Sequence, residues 1–369
     1  MRTRPPFRAD HVGSLLRPAA LTDARARRAK GEISILELRA VEDREIIRII
    51  AKQQAIGLQL ATDGEFRRFM WHKDFLQHLN GISTIEDDAG VAFQGIVATP
   101  LGLRITGRIG FSQHPHIDQF RFLRNHAKVT AKMTIPSPSV ITPLHAADYQ
   151  DASRPAYQDL EAARHDLGEA YRKAIRAFYD ADCRYLQIDE VRMVAIVDPA
   201  FRARRNMADQ DVSRIAGLFA RILEHAFKDR PADMVISMHN CRGNFRSHWA
   251  AEGGYEPVAE TLFNIAGIDA YFLEYDSARA GGFQPLRFLP KTKMAVLGLI
   301  TSKTGALEPK DAVKRRIEEA ARFVDLDRLC LSPQCGFAST EEGNEVTEEQ
   351  QWRKLAFVKE IADEVWGGR

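Results

Sequence analysis

The amino-acid sequence predicts an α/β protein folded as a single (β/α)8 TIM barrel. Three observations favour this fold class: eight short apolar runs end in polar residues, amphipathic helical patterns separate most of the runs, and 369 residues suit one barrel with insertions. Strand and helix that alternate around one core are typical of a parallel sheet. The count of eight favours a sheet that closes on itself.

Each predicted strand is a short run of apolar or β-branched residues that ends in polar residues. In chain order, the runs cover residues 8–14, 57–65, 128–138, 183–190, 233–241, 269–276, 293–303 and 328–335. Barrel enzymes build their sites at the carboxyl ends of the strands. We therefore expect the residues that end these runs to share one rim.

Two helices between the strands are predicted from apolar residues that recur on one face. The first helix covers 159–181, and its face carries Leu160, Leu167, Tyr171, Ala174 and Phe178. The second covers 308–324, and its face carries Val313, Ile317, Ala320 and Val324. Pro309 is well placed to begin the second helix, because proline is favoured in a first helical turn.

The segment between the second and third predicted strands, residues 66–127, is too long for a simple crossover. Within it, FQGIVATPLGLRITGRIG (93–110) alternates and turns like a β-hairpin. We interpret the segment as an insertion rather than as a second domain. The predicted organisation is one domain over residues 1–369, with a hairpin-containing insertion after the second strand.

Composition and charge restrict the class of partner. Hydrophobic residues make up 45% of the chain and charged residues 28%, and no apolar run approaches the ~18 residues of a membrane-spanning helix. The net charge of +2 comes from interspersed basic and acidic residues, which argues against nucleic acid and membrane partners. The basic N-terminus lacks the apolar segment of a secretory signal, so we expect a cytoplasmic protein with small-molecule substrates. The sequence leaves the oligomeric state open, and a homo-oligomer is compatible with it.

The residues at the ends of the predicted strands are rich in metal ligands and acids. They are Ser14, Asp63, Glu65, Asp189, Glu190, His239, Cys241, Glu274, Asp276, Lys303 and Cys335. The four cysteines of the chain are too few for a disulfide scaffold. Those at strand ends are therefore candidates for metal binding.

The stretch ISMHNCRGN (236–244) places His239 two residues before Cys241, where an apolar run meets a turn that Gly243 permits. Glu274 and Cys335 end the sixth and eighth runs and are expected to converge on the same point. Two thiolates with one imidazole select zinc, in tetrahedral coordination. The alternative is that a buried cysteine simply fills space as a small apolar residue. We assign that role to Cys183 and Cys330, which lie inside the strand runs.

Six motifs, in order, resemble the catalytic barrel of cobalamin-independent methionine synthase, also called 5-methyltetrahydropteroyltriglutamate–homocysteine methyltransferase. They are HVGSLLRP, DGEFRRFMWHKDF, QIDEV, MHNC, EYD and CGFAS, and the similarity runs from about residue 10 to 344. The resemblance implies a methyltransferase that forms methionine from homocysteine with Zn²⁺ as its cofactor. It also implies the zinc ligands His239, Cys241, Glu274 and Cys335, in agreement with the spacing.

The resemblance further implies that Ser14, Glu65 and Asp189 hold the amino-acid end of homocysteine. This is chemically sensible, because an ammonium group prefers carboxylates and a substrate carboxylate prefers hydroxyl and backbone donors. The alternative for Glu65 and Asp189, as for Asp63 and Glu190, is salt bridging at the barrel rim. Asp189 also belongs to the predicted catalytic residues, together with Lys303.

The sequence departs from the family pattern in ways that leave the methyl donor open. Family members carry a second, N-terminal barrel that helps bind folate, and this sequence has room for one barrel. Lys303 aligns with a family histidine that protonates the departing folate, and it is expected to act as an acid or to bind an anion. Arg242 and Asn244 are not family ligands and are expected to shape a different pocket. The donor is therefore a methyltetrahydrofolate or a corrinoid carrier.

Two other functions remain open from the sequence. The zinc thiolate could attack a different alkyl group, as in the related epoxyalkane:coenzyme M transferases, or the zinc could only stabilise a binding protein without turnover. Structural zinc sites are usually closed by sulfur and nitrogen ligands, so a carboxylate at Glu274 argues against the second function. Aromatic residues near the second strand form either a stacking wall for a flat donor or core packing. They are Phe66, Phe69, Trp71 and Phe75.

Overall fold

The computed structural model describes residues 2–85, 91–98, 102–145, 150–151 and 153–367. The strands are β1 (Leu60–Ala61), β2 (Asn80–Ile85), β3 (Val91–Phe93), β4 (Ile96–Ala98), β5 (Gly102–Gly110), β6 (Thr130–Pro136), β7 (Tyr185–Glu190), β8 (Val235–Asn240), β9 (Ala270–Glu274), β10 (Met294–Ile300) and β11 (Leu329–Pro333). Seven of them form one parallel sheet in the order β1-β6-β7-β8-β9-β10-β11. This α/β fold is consistent with a TIM-like barrel.

Helices connect the parallel strands. They are α1 (Ala19–Ala29), α2 (Ile35–Ala55), α3 (Lys73–Leu76), α4 (Pro115–His126), α5 (Leu160–Asp180), α6 (Arg192–Ala195), α7 (Pro199–Arg204), α8 (Asp209–Phe227), α9 (Ala259–Asn264), α10 (Lys310–Ala320) and α11 (Glu348–Trp366). Single 3₁₀ turns lie at Pro138–Ile141, Glu256–Val258, Ala278–Ala280, Gln284–Phe288 and Leu326–Arg328. No helix among the described residues is both long and apolar enough to cross a membrane.

The core lies between the sheet and the helices, as the apolar patterns predicted. Every residue of β7, β8, β9, β10 and β11 is buried, as expected for a parallel sheet covered by helices. The two predicted helices are confirmed as α5 and α10. The inner face of α5 buries Leu167, Tyr171, Ala174 and Phe178. α10 begins directly after Pro309 and ends at Ala320, so buried Val324 lies beyond it rather than within it.

The first predicted strand, residues 8–14, differs from the other seven. It forms only an isolated parallel bridge, between Ala9 and Leu331, in which the Asp10 N–H donates to the Leu331 carbonyl. The Asp10 carboxylate accepts hydrogen bonds from the N–H groups of Phe7 (3.1 Å) and His11 (2.8 Å). Side-chain acceptors of this kind compete with a regular ladder, and the segment is therefore an extended chain beside β11 rather than a strand.

The predicted insertion, residues 66–127, contains two antiparallel pairs and α4. β2 pairs with β5, and β3 pairs with β4 across Gly95. Residues 86–90 and 99–101 lie outside the described residues, and the hairpin predicted over 93–110 passes through the second of these gaps. The β3–β4 pair contacts the loop after β8, since the Gln94 N–H donates to the Trp249 carbonyl (2.7 Å).

Candidate metal centre and substrate cavity

Four side chains from three strand ends meet at one point. His239 is the second-last residue of β8, Cys241 directly follows that strand, Glu274 ends β9, and Cys335 lies two residues after β11. One ligand atom from each of the four lies within 4.8 Å of the others. All four residues are buried, so this arrangement is part of the folded interior. The convergence predicted from the spacing is therefore present.

The chain positions the two β8 ligands through backbone geometry. The Cys241 N–H donates to the Glu190 carbonyl at the end of β7 (2.8 Å), which extends the β7–β8 pairing by one residue. Gly243 then turns with φ +88°, and its N–H donates to the Cys241 Sγ (3.2 Å). A Cβ at Gly243 would lie 2.7 Å from the Cβ of Ala250. The turn after the His-x-Cys pair therefore requires glycine.

The geometry and the unsatisfied atoms of this group fit a metal ion. Neither ring nitrogen of the buried His239 has a hydrogen-bond partner among the described residues, and such orphaned atoms are rare unless a ligand satisfies them. The Sγ atoms of Cys241 and Cys335 lie 3.6 Å apart. Two sulfurs bound to one tetrahedral zinc at ~2.3 Å would be about 3.8 Å apart. Little movement would be needed for both sulfurs to bind one ion.

The carboxylate ligand is held on both oxygens. Glu274 Oε1 accepts a hydrogen bond from the Arg242 N–H (2.8 Å), and Oε2 pairs with Arg279 at 3.4 Å. The Arg242 guanidinium donates to the carbonyls of Gly253 (2.8 Å) and Glu274 (3.1 Å). Arg242, which we expected to shape a different pocket, therefore supports a metal ligand through the backbone that carries it.

The two neighbouring sulfurs have pKa values shifted in opposite directions. Their mutual hydrogen bond and the nearby His239 hold the pKa of Cys335 well below its usual range, and the same hydrogen bond raises the pKa of Cys241. Burial alone would lower the pKa of His239, but Cys335, Asp189 and Glu274 together raise it. These shifts favour one thiolate, on Cys335, beside His239. A metal ion would also require the Cys241 thiol to lose its proton and His239 to be neutral, so its binding would release protons.

Lys303 lies close enough to this group to act on both thiols electrostatically. Its side chain is buried, its Nζ has no hydrogen-bond partner among the described residues, and its charge lowers the pKa of both Cys241 and Cys335. Lys303 does not line the cavity described next. The structure therefore places the predicted acid near the sulfurs.

A cavity of about 700 Å³ opens next to the metal ligands. Its lining includes three of the ligands, His239, Cys241 and Cys335, and the three predicted acceptor-binding residues, Ser14, Glu65 and Asp189. Residues at or after the ends of four strands, β1, β7, β8 and β11, thus line one space together with Ser14, the last residue of the segment 8–14. The distribution of these groups suits a thiol whose amino-acid end lies a short distance from its sulfur.

Glu65 is held in a strained turn. Its φ is +60°, and it follows Gly64, where a Cβ would lie 2.6 Å from the Ile49 side chain. The Thr134 hydroxyl donates to its Oε1 (2.9 Å), and Arg68 pairs with its Oε2 at 3.4 Å. Burial raises the pKa of Glu65 despite these partners. Backbone strain of this kind is found preferentially at functional positions.

Asp189 lies on β7 directly opposite His239 on β8. The Gln187 amide donates to its Oδ1 (2.7 Å), and burial is the main reason that its pKa is raised to about 7. Ser14 accepts a hydrogen bond at its Oγ from the Ala338 N–H (3.3 Å). A Cβ at Gly336 would lie 2.0 Å from this Oγ, so glycine allows the hydroxyl to sit beside the chain that carries Cys335.

Two of the acidic residues at strand ends, Asp63 and Glu190, hold the neighbouring backbone in place through hydrogen bonds. Asp63 accepts a hydrogen bond from the Glu65 N–H (2.9 Å), and Glu190 accepts from the N–H groups of Arg192 (2.6 Å) and Met193 (2.9 Å). Neither acid lines the cavity, and neither forms an ion pair with another described residue. Both shape the turns that present their neighbours, Glu65 and Asp189.

The predicted aromatic wall is divided between the cavity and the core. Trp71 lines the cavity, Phe66 and Phe75 are fully buried in the core, and the Phe69 side chain is 59% exposed. Sequence reasoning missed three cavity residues: Phe93 on the β3–β4 hairpin, Phe245 after β8 and Phe201 on α7. The rings of Phe93 and Phe245 lie 5.4 Å apart. No sequence signal links them, because they meet only through the folded insertion.

Asn244, which with Arg242 differs from the family ligands, holds the loop after β8 against the loop that carries Cys335. Its side-chain amide donates to the Gly336 carbonyl (2.8 Å), one residue after Cys335. It thereby ties the loop that carries Cys241 to the loop that carries Cys335. The residue also lines the cavity. Its position agrees with the expectation that it shapes the pocket.

Comparison with known proteins identifies related chains. Residues 7–356 match the family described as the cobalamin-independent synthase catalytic domain. The Bacillus subtilis protein YxjG, itself uncharacterised, is 48% identical over 99% of this chain and 96% of its own length. A solved Listeria monocytogenes structure, described as a candidate vitamin-B12-independent methionine synthase, is 40% identical, covers 99% of this chain and 100% of its own, and superposes with a TM-score of 0.77.

The fold is also shared with a more distant protein. A B12-independent methionine synthase from Shewanella sp. W3-18-1 superposes with a TM-score of 0.72 at 19% identity, over 98% of both chains. The family match covers nearly the whole chain, and it includes every residue of the metal group and of the predicted acceptor site. The chain therefore belongs to the cobalamin-independent methionine synthase family, matching its catalytic domain, and is a methyltransferase.

Proposed function

We propose that this protein is a zinc-dependent thiol methyltransferase that converts homocysteine, or a closely similar thiol, to its methyl thioether. The observation that carries the proposal is the buried group of His239, Cys241, Glu274 and Cys335, whose ligand atoms lie within 4.8 Å of one another. Two sulfurs and an imidazole favour zinc over harder divalent ions. Glu274 is the hardest of the four ligands and is the one that an incoming thiol would replace.

Zinc in this site would lower the pKa of an incoming thiol, which is otherwise about 8.5, and hold it as a nucleophilic thiolate at neutral pH. Other residues of the chain would bind the charged groups of the acceptor. Glu65 and Asp189 would bind the acceptor ammonium, and the Ser14 hydroxyl with neighbouring backbone N–H groups would bind its carboxylate. Arg279 pairs with Glu274 at 3.4 Å. It would stabilise the Glu274 carboxylate after the incoming thiol has replaced it on the metal.

The proposal is tested by measuring turnover and the metal ligands separately. Zinc-loaded protein is expected to form methionine from homocysteine with a methyltetrahydrofolate or a methyl-corrinoid carrier. X-ray absorption should show one oxygen ligand replaced by sulfur when homocysteine is added. An unchanged coordination shell, together with no methionine from any donor, would instead support an inert structural metal. Binding of homocysteine to the metal does not require a methyl donor. The absorption experiment therefore tests the proposal even if none of the tested donors is the natural one.

We further propose that Lys303 protonates the leaving group or binds an anionic group that forms during transfer. The basis for this role is its buried Nζ, which has no hydrogen-bond partner in the part of the chain that the structure describes and acts electrostatically on both sulfurs. Lys303→Gln is expected to lower kcat by about 10² to 10⁴, the usual range for loss of a general acid, while bound zinc stays at one per chain. Zinc loss in this variant would show that the lysine supports the ligands electrostatically. Wild-type kcat would remove the role altogether.

The alternative of alkyl transfer to another thiol, as in epoxyalkane:coenzyme M transferases, is less well supported. It would be favoured if the predicted amino-acid-binding residues lay far from the candidate metal ligands. Ser14, Glu65 and Asp189 instead line the same cavity as His239, Cys241 and Cys335. This shared lining favours an α-amino acid thiol as the acceptor.

We also propose that residues 1–369 form one domain. In this domain the extended segment 8–14 would occupy the eighth position of the barrel, beside the seven strands of the parallel sheet. Hydrogen bonds on both sides of that segment support closure. The Asp10 N–H donates to Leu331 on one side, and the Thr62 hydroxyl donates to the Gly13 carbonyl (2.7 Å) on the other. A cytoplasmic location and small-molecule partners complete the proposal.

A further inference from the structure

The side-chain amide of Gln187 lies between two walls of the cavity. Gln187 is on β7, two residues before Asp189, and alternate residues of a strand point to the same face. Its Nε2 donates to the Asp189 Oδ1 (2.7 Å) and to the Val12 carbonyl (2.7 Å). Val12 and Asp189 both line the cavity, and Val12 lies two residues before Ser14. One side chain therefore joins the strand that carries Asp189 to the segment that carries Ser14.

The partners of Gln187 determine the orientation of its amide. A carboxylate and a backbone carbonyl are both acceptors, so the nitrogen with its two N–H groups must face them. Turning the amide over would place its oxygen against two other oxygens. In the present orientation Gln187 is fully buried, and its Oε1 has no hydrogen-bond partner in the described part of the chain. An unpaired buried acceptor is uncommon, which indicates that the two donated hydrogen bonds are the purpose of this residue.

The carboxylate of Asp189 has fewer partners than that of Glu65. Glu65 Oε1 accepts a hydrogen bond from Thr134 (2.9 Å), and its Oε2 pairs with Arg68 at 3.4 Å. For the Asp189 carboxylate, Gln187 is the only hydrogen-bond donor among the residues that the structure describes. Hydrogen bonds to charged acceptors are stronger than those between neutral groups, so this single contact is sufficient to direct the carboxylate. With Oδ1 held, Oδ2 remains for a ligand in the cavity.

We propose that Gln187 is a positioning residue of the acceptor site, which directs the Asp189 carboxylate toward the acceptor ammonium. This inference rests on the proposed function, in which Asp189 binds the ammonium and Ser14 the carboxylate of the same amino acid. These two groups of an α-amino acid are a short, fixed distance apart, so the residues that bind them must also be held at a fixed separation. Gln187 does not line the cavity and acts through its two partners.

A double-mutant cycle tests this role by binding, without a methyl donor. Gln187→Met removes the amide from a side chain of similar length, and it is made alone and together with Asp189→Asn. Isothermal titration of the zinc-loaded proteins gives the affinities for homocysteine and for 4-mercaptobutanoate, which lacks the amino group. The ratio of the two affinities measures recognition of the ammonium. Bound zinc is measured in every variant by elemental analysis.

Gln150 provides a matched control for the loss of a buried amide. Its Nε2 donates to the Tyr157 carbonyl (2.8 Å), and its Oε1 accepts a hydrogen bond from the Tyr157 N–H (3.1 Å). Gln150 is buried and does not line the cavity. Gln150→Met should therefore keep the wild-type preference for homocysteine, whatever its effect on thermal stability.

Gln187→Met is expected to reduce the preference for homocysteine over 4-mercaptobutanoate about tenfold, as for loss of one hydrogen bond to a charged group, with zinc still at one per chain. In the Asp189→Asn background the same change should leave the preference as it is, because Gln187 acts through that carboxylate. A purely structural residue would weaken both thiols alike. It would also lower stability by the same amount in both backgrounds.

Equal weakening of both thiols, or the same change in preference with and without the Asp189 carboxylate, overturns the proposal. Gln187→Leu removes the same donor with a different apolar side chain and is used if the methionine variant does not fold; an unchanged preference in it overturns the proposal as well. When wild type prefers homocysteine in these experiments, the proposed function stands. Failure of wild type to bind either thiol would remove the proposed function and this inference together.

Discussion

Cys335→Ser is expected to abolish zinc binding and methyl transfer together while the protein remains folded. The residue supplies one of two sulfurs in the ligand group, and a hydroxyl is a poor substitute for a thiolate on zinc. Changes next to metal ligands typically weaken binding by 10- to 100-fold, so loss of a ligand should exceed about 100-fold. Bound zinc measured by elemental analysis should fall from one per chain to nearly none.

A matched cysteine separates this effect from general damage to the core. Cys183 is fully buried, and the Cys183 thiol donates to the Tyr185 carbonyl (3.4 Å) at the opposite end of β7 from the metal group. Cys183→Ser should keep its zinc and its activity, with at most a modest loss of thermal stability. Full zinc content in Cys335→Ser would contradict the ligand assignment. Zinc loss in both variants would point to a folding defect.

Asp189→Asn is expected to raise the KM for homocysteine by on the order of 100-fold without loss of zinc. Removing one partner of a buried charge pair costs about 2–5 kcal/mol, and the proposed partner here is the substrate ammonium. Because the pKa of Asp189 is raised to about 7, the carboxylate gains a proton as the pH falls through that value. Wild-type affinity for homocysteine should therefore decline below about pH 7, and the variant should lose this pH dependence.

A substrate analogue provides the control for Asp189. Compared with homocysteine, 4-mercaptobutanoate lacks only the amino group. Wild type should bind homocysteine far more tightly than the analogue, whereas Asp189→Asn should treat the two thiols alike. If the variant kept the wild-type preference for homocysteine, Asp189 would not bind the ammonium, and Glu65 would become the better candidate.

The sequence was sufficient to predict that the four candidate metal ligands converge and to predict most of the parallel sheet. His239 and Cys241 are two residues apart in the chain, and parallel strands bring Glu274 and Cys335 to the same edge of the sheet. Amphipathic periodicity predicted α5 and α10, because a helix that packs on a sheet must bury one face. The first strand was predicted wrongly. Whether residues 8–14 form a ladder depends on the Asp10 carboxylate and its backbone partners, and an apolar pattern does not encode that competition.

The tertiary structure alone decided which aromatic and charged residues line the cavity. Phe93 and Phe245 are far apart in sequence and belong to no motif, yet the packing of the β3–β4 hairpin on the β8 loop brings their rings together. Arg204 and Arg205 belong to no motif either, and only the fold shows that both line the cavity. The positions of strands and helices along the chain follow from local periodicity, which a sequence displays directly. Side-chain neighbours across loops depend on long-range packing, which becomes definite only when the chain is folded.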